Sequence, residues 1–131
     1  MKRLLIIIAL AAALAGLAAC GQAGTGTGTA PQVITAEKAK EMMDAGGVTV
    51  VDVRTKEEYD AGHVAGALLI PYDVMAEQAP SQLPDKQATI LVYCRTGRRA
   101  TTAASTLADL GYSHVYNFGG VTTWPYGLVT D

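Results

Sequence analysis

The chain has 131 residues, a length that suits one domain once an atypical N-terminus is set aside. Ten basic and 12 acidic residues give a formal net charge of -2. The only dense positive cluster consists of Arg95, Arg98 and Arg99, which is far smaller than the basic surface that nucleic-acid phosphates require. We therefore expect no nucleic-acid partner.

Residues 1–19 predict an export signal. Two basic residues precede an uncharged apolar run from Leu4 to Leu14, which fits a signal-peptide core but is short for a membrane span. The run leads to Leu17-Ala18-Ala19-Cys20, which resembles a bacterial lipobox. This resemblance implies that Cys20 receives a diacylglyceryl group and becomes the first mature residue. An ordinary secretory leader and a permanent membrane helix are the less favoured alternatives.

The predicted anchor implies a place in the bacterial cell envelope, on the periplasmic side. Gly21 follows the cysteine in place of an Asp, the residue that resembles an inner-membrane retention signal, so the outer membrane is favoured if the source has one. The next residues, GQAGTGTGTAP, predict a flexible tether. We therefore expect a signal peptide at 1–19, a lipidated cysteine and linker at 20–31, and a globular domain at 32–131.

Along the globular part, short apolar runs alternate with helical patterns. Thr35 is placed to cap the first helix, and Thr55 with Glu58 fits a capping box at the second. The predicted strands are 48–53, 67–70, 88–93 and 114–117, and the predicted helices are 36–45, 55–61, 73–78, 98–110 and a short segment around Trp124. This alternation predicts an α/β fold with a mostly parallel sheet and helices on both faces.

Cys94 occupies the position at which open α/β sheets bind ligands, directly after a predicted strand and before a predicted helix. Gly97 permits a backbone with positive φ, so the N–H groups of the loop can converge on one point over the helix N-terminus. Because three arginines lie within five residues of Cys94, we expect a thiolate or a persulfide to be stabilised there. An inert core cysteine is the alternative.

Three ordered motifs resemble those of rhodanese domains. They are Asp52-Val53-Arg54 with Glu58 to Ala67 and Ile70-Pro71, then Tyr93 to Ala100, then Phe118-Gly119-Gly120 with Trp124. The resemblance runs from about Gln32 to Leu128. It implies a rhodanese-like three-layer α/β/α fold with a mostly parallel central sheet. With the export signal, the chain is similar to the small phage-shock-type periplasmic rhodaneses.

The resemblance also implies a thiosulfate sulfurtransferase reaction by double displacement. Cys94 would take a sulfane sulfur from a small anionic donor and pass it to cyanide or a thiol. Carried over by position, Cys94 is the catalytic nucleophile, and the substrate-binding residues are Arg95, Thr96, Gly97, Arg98 and Arg99. No metal and no organic cofactor is implied.

Three other functions remain open at this point, and one of them is that Cys94 serves as a persulfide carrier or thiol-redox partner for another envelope protein. A Cdc25-like phosphatase or arsenate reductase has five residues between its cysteine and arginine, whereas four separate Cys94 from Arg99 and Ala100 stands at the next position. The shorter loop fits one sulfur atom better than a phosphate group. The third alternative is a non-catalytic rhodanese-fold binding module, a class that usually lacks the cysteine.

The neighbouring polar residues are expected to support the site. A thiolate stabilised by cations needs no base, so we interpret His63 as a structural residue. Asp52, Arg54 and Glu58 are expected to form ion pairs that fix the loops near the site.

Overall fold

The structure is a computed structural model, and it describes residues 29–131. The predicted signal peptide, lipidation of Cys20 and most of the linker lie outside the described residues. Within residues 29–131, no helix is both long enough and apolar enough to cross a membrane.

Strands and helices alternate along the described chain, as the sequence predicts. In chain order they are β1 (Gln32–Val33), α1 (Ala36–Ala45), β2 (Val48–Asp52), α2 (Lys56–Ala61), β3 (Leu68–Leu69), α3 (Met75–Gln82), β4 (Thr89–Cys94), α4 (Arg98–Asp109) and β5 (His114–Gly120). Short 3-10 turns cover Tyr72–Val74 and Val121–Thr123. The described part of the chain thus forms an α/β domain.

The strands form one sheet in the order β1-β5-β4-β2-β3, and every neighbouring pair is parallel. The central strand, β4, is paired on both sides over most of its length. Because all strands point the same way, their carboxyl ends meet at one edge of the sheet. Cys94, the last residue of β4, therefore lies at the middle of that edge.

Two apolar cores cover the two faces of the sheet. On one face, alternate residues of β4 such as Ile90 and Val92 pack with α3 and α4. On the other face, Leu91 and Tyr93 pack with Ala39 of α1 and with Tyr59 of α2. The three-layer α/β/α fold is confirmed by these two cores.

Local sequence explains where the helices begin. The Thr35 hydroxyl accepts a hydrogen bond from the N–H of Lys38 at 3.0 Å, which caps α1. Thr55 and Glu58 form the predicted capping box of α2. In α4 the buried residues are Ala100, Ala103, Ala104 and Leu107, so small side chains let this helix lie close to the sheet.

The structure differs most from the sequence-based elements at β1, α3, the end of β5 and the segment before Trp124. Strand β1 was not predicted, because two exposed residues carry no burial pattern. Helix α3 runs to Gln82, past the predicted end, and contains Pro80, which lacks the N–H that normally continues a helix. Strand β5 continues to Gly120, and the segment before Trp124 is only a 3-10 turn.

Candidate active site

The loop after β4 wraps around the sulfur of Cys94. The Cys94 side chain is 1 % exposed, and its Sγ accepts a hydrogen bond from the N–H of Gly97 at 2.9 Å. Gly97 has φ of 109°, the positive value that the sequence predicts, and it is the N-cap residue of α4. The sulfur therefore lies at the N-terminal end of a 12-residue helix, where the helix dipole favours negative charge.

The end of β5 supports this loop, because the backbone of Gly120 lies very close to the backbone of Cys94 and Arg95. Gly120 pairs with Cys94 across the sheet, and a Cβ atom added to Gly120 would lie 2.2 Å from the carbonyl oxygen of Arg95. The same oxygen accepts hydrogen bonds from the backbone N–H of Thr122 at 3.2 Å and from its hydroxyl at 3.1 Å. Because φ of Gly120 is -175°, its requirement for glycine is steric and not conformational.

Asn117 is a supporting residue that the sequence reading missed. Its side-chain amide donates to the carbonyl of Gly97 at 3.2 Å and to the hydroxyl of Thr101 at 3.1 Å. Its side-chain oxygen accepts from the N–H of Gly119 at 2.8 Å. Asn117 is 5 % exposed, so it joins the Gly97 turn to the end of β5 from inside the protein. A lone amide between the aromatic residues Tyr116 and Phe118 was the available signal.

An ion pair between Glu58 and Arg99 closes one side of the loop. The two guanidinium N–H groups donate to the two carboxylate oxygens at 2.7 and 2.9 Å. The Arg99 hydrogen bonds, together with those from Thr55, lower the pKa of Glu58 to about 2 despite partial burial. In return, the pKa of Arg99 is raised, first by Glu58 and also by the nearby Cys94. Arg99 therefore carries a charge that is already largely compensated.

A second polar group lies buried beneath the site. The guanidinium of Arg54 donates to the carboxylate of Asp52 at 2.6 Å and to the carbonyl of Gly62 at 2.7 Å. The Tyr93 hydroxyl donates to Asp52 at 2.8 Å and accepts from the N–H of Val64 at 2.9 Å. Burial and the Asp52 carboxylate raise the pKa of Tyr93, so its hydroxyl stays protonated. The predicted ion pairs of Asp52, Arg54 and Glu58 are confirmed.

The contacts of His63 agree with a structural role. Its side chain is 2 % exposed, and its ring stacks on that of Tyr59 with the centroids 3.7 Å apart. Nδ1 contacts the carbonyl oxygen of Tyr59 at 2.8 Å, and Nε2 contacts the carboxylate of Asp131 at 3.0 Å. Both ring nitrogens are thus engaged away from Cys94.

A pocket of about 370 Å³ opens beside the loop. It is lined by Arg54, Glu58, Ala61, Gly62, Arg95, Val121 and Leu128. Of the predicted substrate-binding residues, Arg95 alone contributes to this wall. Thr96 and Arg98 are exposed without lining the pocket, and Arg99 is held by Glu58.

The arginines near the site therefore differ in whether a carboxylate already neutralises their charge. Arg54 and Arg99 are neutralised by carboxylates at hydrogen-bond distance. Within residues 29–131, Arg95 and Arg98 form no ion pair. In the same part of the chain, no group of three His, Cys, Asp or Glu side chains could hold a metal ion. Arg95, which follows Cys94 in the chain, is therefore the uncompensated cation of the pocket wall.

Comparison with known proteins places these features in a family. The family model of the Rhodanese-like domain matches residues 35–125, more than half of the chain. The thiosulfate sulfurtransferase PspE of Escherichia coli (strain K12) is 42% identical over 71 residues, which are 54% of this chain and 68% of that protein. The tRNA uridine(34) hydroxylase of Yersinia pestis (strain Pestoides F) is 31% identical over 91 residues, but the match spans only 26% of that protein.

Solved structures show the same similarity. A rhodanese with anions from E. coli has a TM-score of 0.60 at 37% identity, over 63% of this chain and 98% of that one. A rhodanese-related protein from Thermoplasma volcanium has a TM-score of 0.66 at 27% identity, over 76% of this chain and 99% of that one. The chain therefore belongs to the rhodanese-like family and is a rhodanese-type sulfurtransferase, as its three motifs predict.

Proposed function

We propose that the protein moves a sulfane sulfur from thiosulfate to a nucleophilic acceptor, cyanide or a thiol, through a persulfide on Cys94. The observation that carries the proposal is the setting of the Cys94 sulfur, which accepts the Gly97 N–H at the N-terminus of α4. The similarity to a thiosulfate sulfurtransferase supports the same donor.

Two displacements at sulfur complete the reaction. The Cys94 thiolate attacks the outer sulfur of thiosulfate, the S–S bond of the donor breaks, and sulfite leaves with the electron pair. The acceptor then attacks the outer sulfur of the persulfide, whose S–S bond breaks with return of the pair to the Cys94 thiolate. Cyanide yields thiocyanate, and a thiol yields an organic persulfide. Electrons balance without a redox cofactor or a metal.

The residues of the chain stabilise negative charge at each stage. The Gly97 N–H and the dipole of α4 act on the thiolate and on the charged persulfide. Arg95 provides the uncompensated cation that binds the oxyanion of the donor and the departing sulfite. The contacts of Gly120, Thr122 and Asn117 hold the loop in one conformation. The N–H groups of the loop are therefore already oriented when negative charge develops on sulfur.

Turnover with thiosulfate and cyanide tests this proposal. Wild-type protein should form thiocyanate and sulfite in equal amounts, and the matched variant Cys94→Ser, which replaces one small side chain by another, should form neither above background. A Cys94→Ser variant that retains the wild-type rate would overturn the assignment of Cys94. A folded wild-type protein that forms no product and binds no thiosulfate would instead favour a non-catalytic binding module.

We also propose that the protein acts in the bacterial cell envelope, held by a lipid on Cys20. The support is the segment from Leu17 to Cys20 after an apolar run, followed by a Gly- and Thr-rich stretch. Several acyl chains on one cysteine would give a stable anchor. Growth of an expressing bacterium with radioactive palmitate should label the wild-type protein in the membrane fraction and leave Cys20→Ala unlabelled. A mature, soluble and unlabelled wild-type protein would show an ordinary secretory leader instead.

A further inference from the structure

The pocket that Arg95, the residue after Cys94, helps to line has a wall that the family match does not cover. The family model ends at residue 125, yet Leu128 lines the pocket together with Arg95 and Glu58. Residues 127–131, which we call the C-terminal strap, therefore add to the pocket a surface that lies outside the matched residues.

Hydrogen bonds hold the strap firmly against the domain. His63 and Val129 form an antiparallel bridge, in which the N–H of His63 donates at 2.9 Å and the N–H of Val129 donates at 2.8 Å. The indole N–H of Trp124 donates to the carbonyl of Gly127 at 3.0 Å. Gly127 has φ of 82°, a value that suits the turn into the strap. The carboxylate of Asp131 meets the ring of His63 at 3.0 Å.

These contacts fix the side chain of Leu128 over Gly62. A Cβ atom added to Gly62 would lie 3.4 Å from both Cβ and Cδ1 of Leu128, which is ordinary van der Waals contact. Leu128 nevertheless remains 45% exposed, because the rest of its side chain faces the pocket and solvent. With Ala61 and Val121 it forms an apolar part of the pocket wall, separate in character from the charged part at Arg95.

The pocket is larger than thiosulfate and cyanide, the small anions of the proposed reaction, require. Its volume of about 370 Å³ falls in the range of pockets for organic ligands, about 300–1,000 Å³. Thiosulfate and cyanide have no apolar part that leucine, valine or alanine side chains could desolvate. An organic thiol carries methylene groups next to its sulfur, and these would lose contact with water against the apolar wall.

We propose that Leu128 is a specificity-determining residue of the acceptor step, at which it favours an organic thiol with an alkyl chain over cyanide. This inference rests on the proposed sulfur transfer through Cys94. The thiolate of the acceptor, having lost its proton to solvent, attacks the outer sulfur of the Cys94 persulfide. The persulfide S–S bond breaks, its electron pair returns to Cys94, and the acceptor leaves as an organic persulfide. Leu128 contacts the alkyl chain during this step.

The test compares acceptors in the wild-type full chain and in variants, with thiosulfate as the donor. The acceptors are cyanide, 2-mercaptoethanol and the longer 6-mercaptohexanol. In Leu128→Ala, kcat/KM for 6-mercaptohexanol should fall by about tenfold, the scale of a lost apolar contact in a pocket, and cyanide should stay within about twofold. Leu128→Met, which keeps the apolar volume, should retain the wild-type preference.

The matched control is Leu68→Ala, because Leu68 is a similarly exposed leucine, at 36%, that lies in β3 and not in the pocket. It should leave all three acceptors unchanged. An equal fall for cyanide and for both thiols in Leu128→Ala, or no fall for any of them, would overturn the role of Leu128. Intact mass after thiosulfate separates the two proposals: a wild-type protein that gains no sulfur refutes the persulfide route itself.

Discussion

At the scale of single residues, the site depends on which arginines are free to meet an anion. Four arginines lie on or near the loop, but Arg54 and Arg99 each face a carboxylate at hydrogen-bond distance. Arg95 lines the pocket, whereas Arg98 is exposed outside it. The fold thus divides the cationic cluster of the sequence: Arg99 is ion-paired, Arg95 lines the pocket, and Arg98 is exposed outside it.

Replacement of Arg95 should therefore weaken donor binding more than replacement of Arg98. For Arg95→Gln we expect KM for thiosulfate to rise by about tenfold or more, the loss of one hydrogen bond to a charged group. For Arg98→Gln we expect a change of about twofold, since salt screens an exposed charge that does not contact the anion. Steady-state kinetics at fixed ionic strength compare the two. A larger effect for Arg98→Gln would refute this division of roles.

The Glu58–Arg99 pair should make stability depend on pH. The pKa of Glu58 is lowered by folding from 4.5 to about 2, so its contribution is complete above about pH 4.5 and disappears as the pH falls toward 2. Glu58→Gln keeps the side-chain oxygen of the capping box and removes the charge. We expect a loss of about 0.5–1 kcal/mol in the free energy of unfolding at neutral pH, allowing for solvent screening of this partly exposed pair.

Urea unfolding of wild type and Glu58→Gln at a series of pH values measures this contribution. The difference between the two proteins should shrink as the pH falls below about 4.5, because protonated Glu58 no longer attracts Arg99. A difference that stays constant from neutral pH to pH 2.5 would mean that the charge of Glu58 does not stabilise the fold.

Residue types and motif order made some of the site predictable and left the rest hidden. The position of Cys94 at the end of a strand and the positive φ of Gly97 were predictable, because a cysteine, a glycine and arginines stand between a predicted strand and a predicted helix. The contacts of Asn117 and the place of Leu128 in the pocket wall could not be derived, because each depends on residues that are distant in sequence and meet only in the folded chain. Local patterns report what lies along the chain and not what it packs against.

At the scale of elements, the loop is shaped by strand β5 as much as by its own residues. The register of β4 and β5 shifts between Val92 and Cys94, where β5 accommodates the turn. Gly120 then lies directly against the backbone of Cys94 and Arg95, with no room for a side chain. The end of β5 therefore packs directly against the backbone of the loop that begins at Cys94.

A methyl group at Gly120 should displace the loop. In Gly120→Ala the new carbon would meet the Arg95 carbonyl at 2.2 Å, so we expect about 1–3 kcal/mol of lost stability and at least a tenfold fall in sulfur transfer. Thermal unfolding and thiocyanate formation measure the two effects.

Gly46→Ala is the control for general destabilisation. Gly46 has φ of 82° and no heavy atom within 4 Å of an added Cβ, so alanine there brings backbone strain, about 1 kcal/mol, without a clash at the site. Its sulfur transfer should equal that of wild type. If both glycine variants lose stability and activity alike, the close approach at Gly120 has no special role in the site.

At the scale of the whole molecule, the order of the sheet brings the site together. Strand β4 lies between β2 and β5, so the end of β4 is flanked on one side by Asp52, which pairs with Tyr93, and on the other by Gly120, which pairs with Cys94. Alternating patterns predict a parallel sheet with helices on both faces, and the two cores confirm it. The strand order and the short β1 depend on long-range pairing, which periodicity along the chain does not encode.

The central prediction for the whole molecule is that thiosulfate converts Cys94 to a persulfide. Intact mass of the purified full chain should rise by one sulfur atom, about 32 Da, after thiosulfate, return to its starting value with cyanide, and stay unchanged in Cys94→Ser. A gain of the same size in Cys94→Ser would place the sulfur on another residue. No gain in folded wild-type protein, with no sulfite released, would contradict sulfur transfer through Cys94.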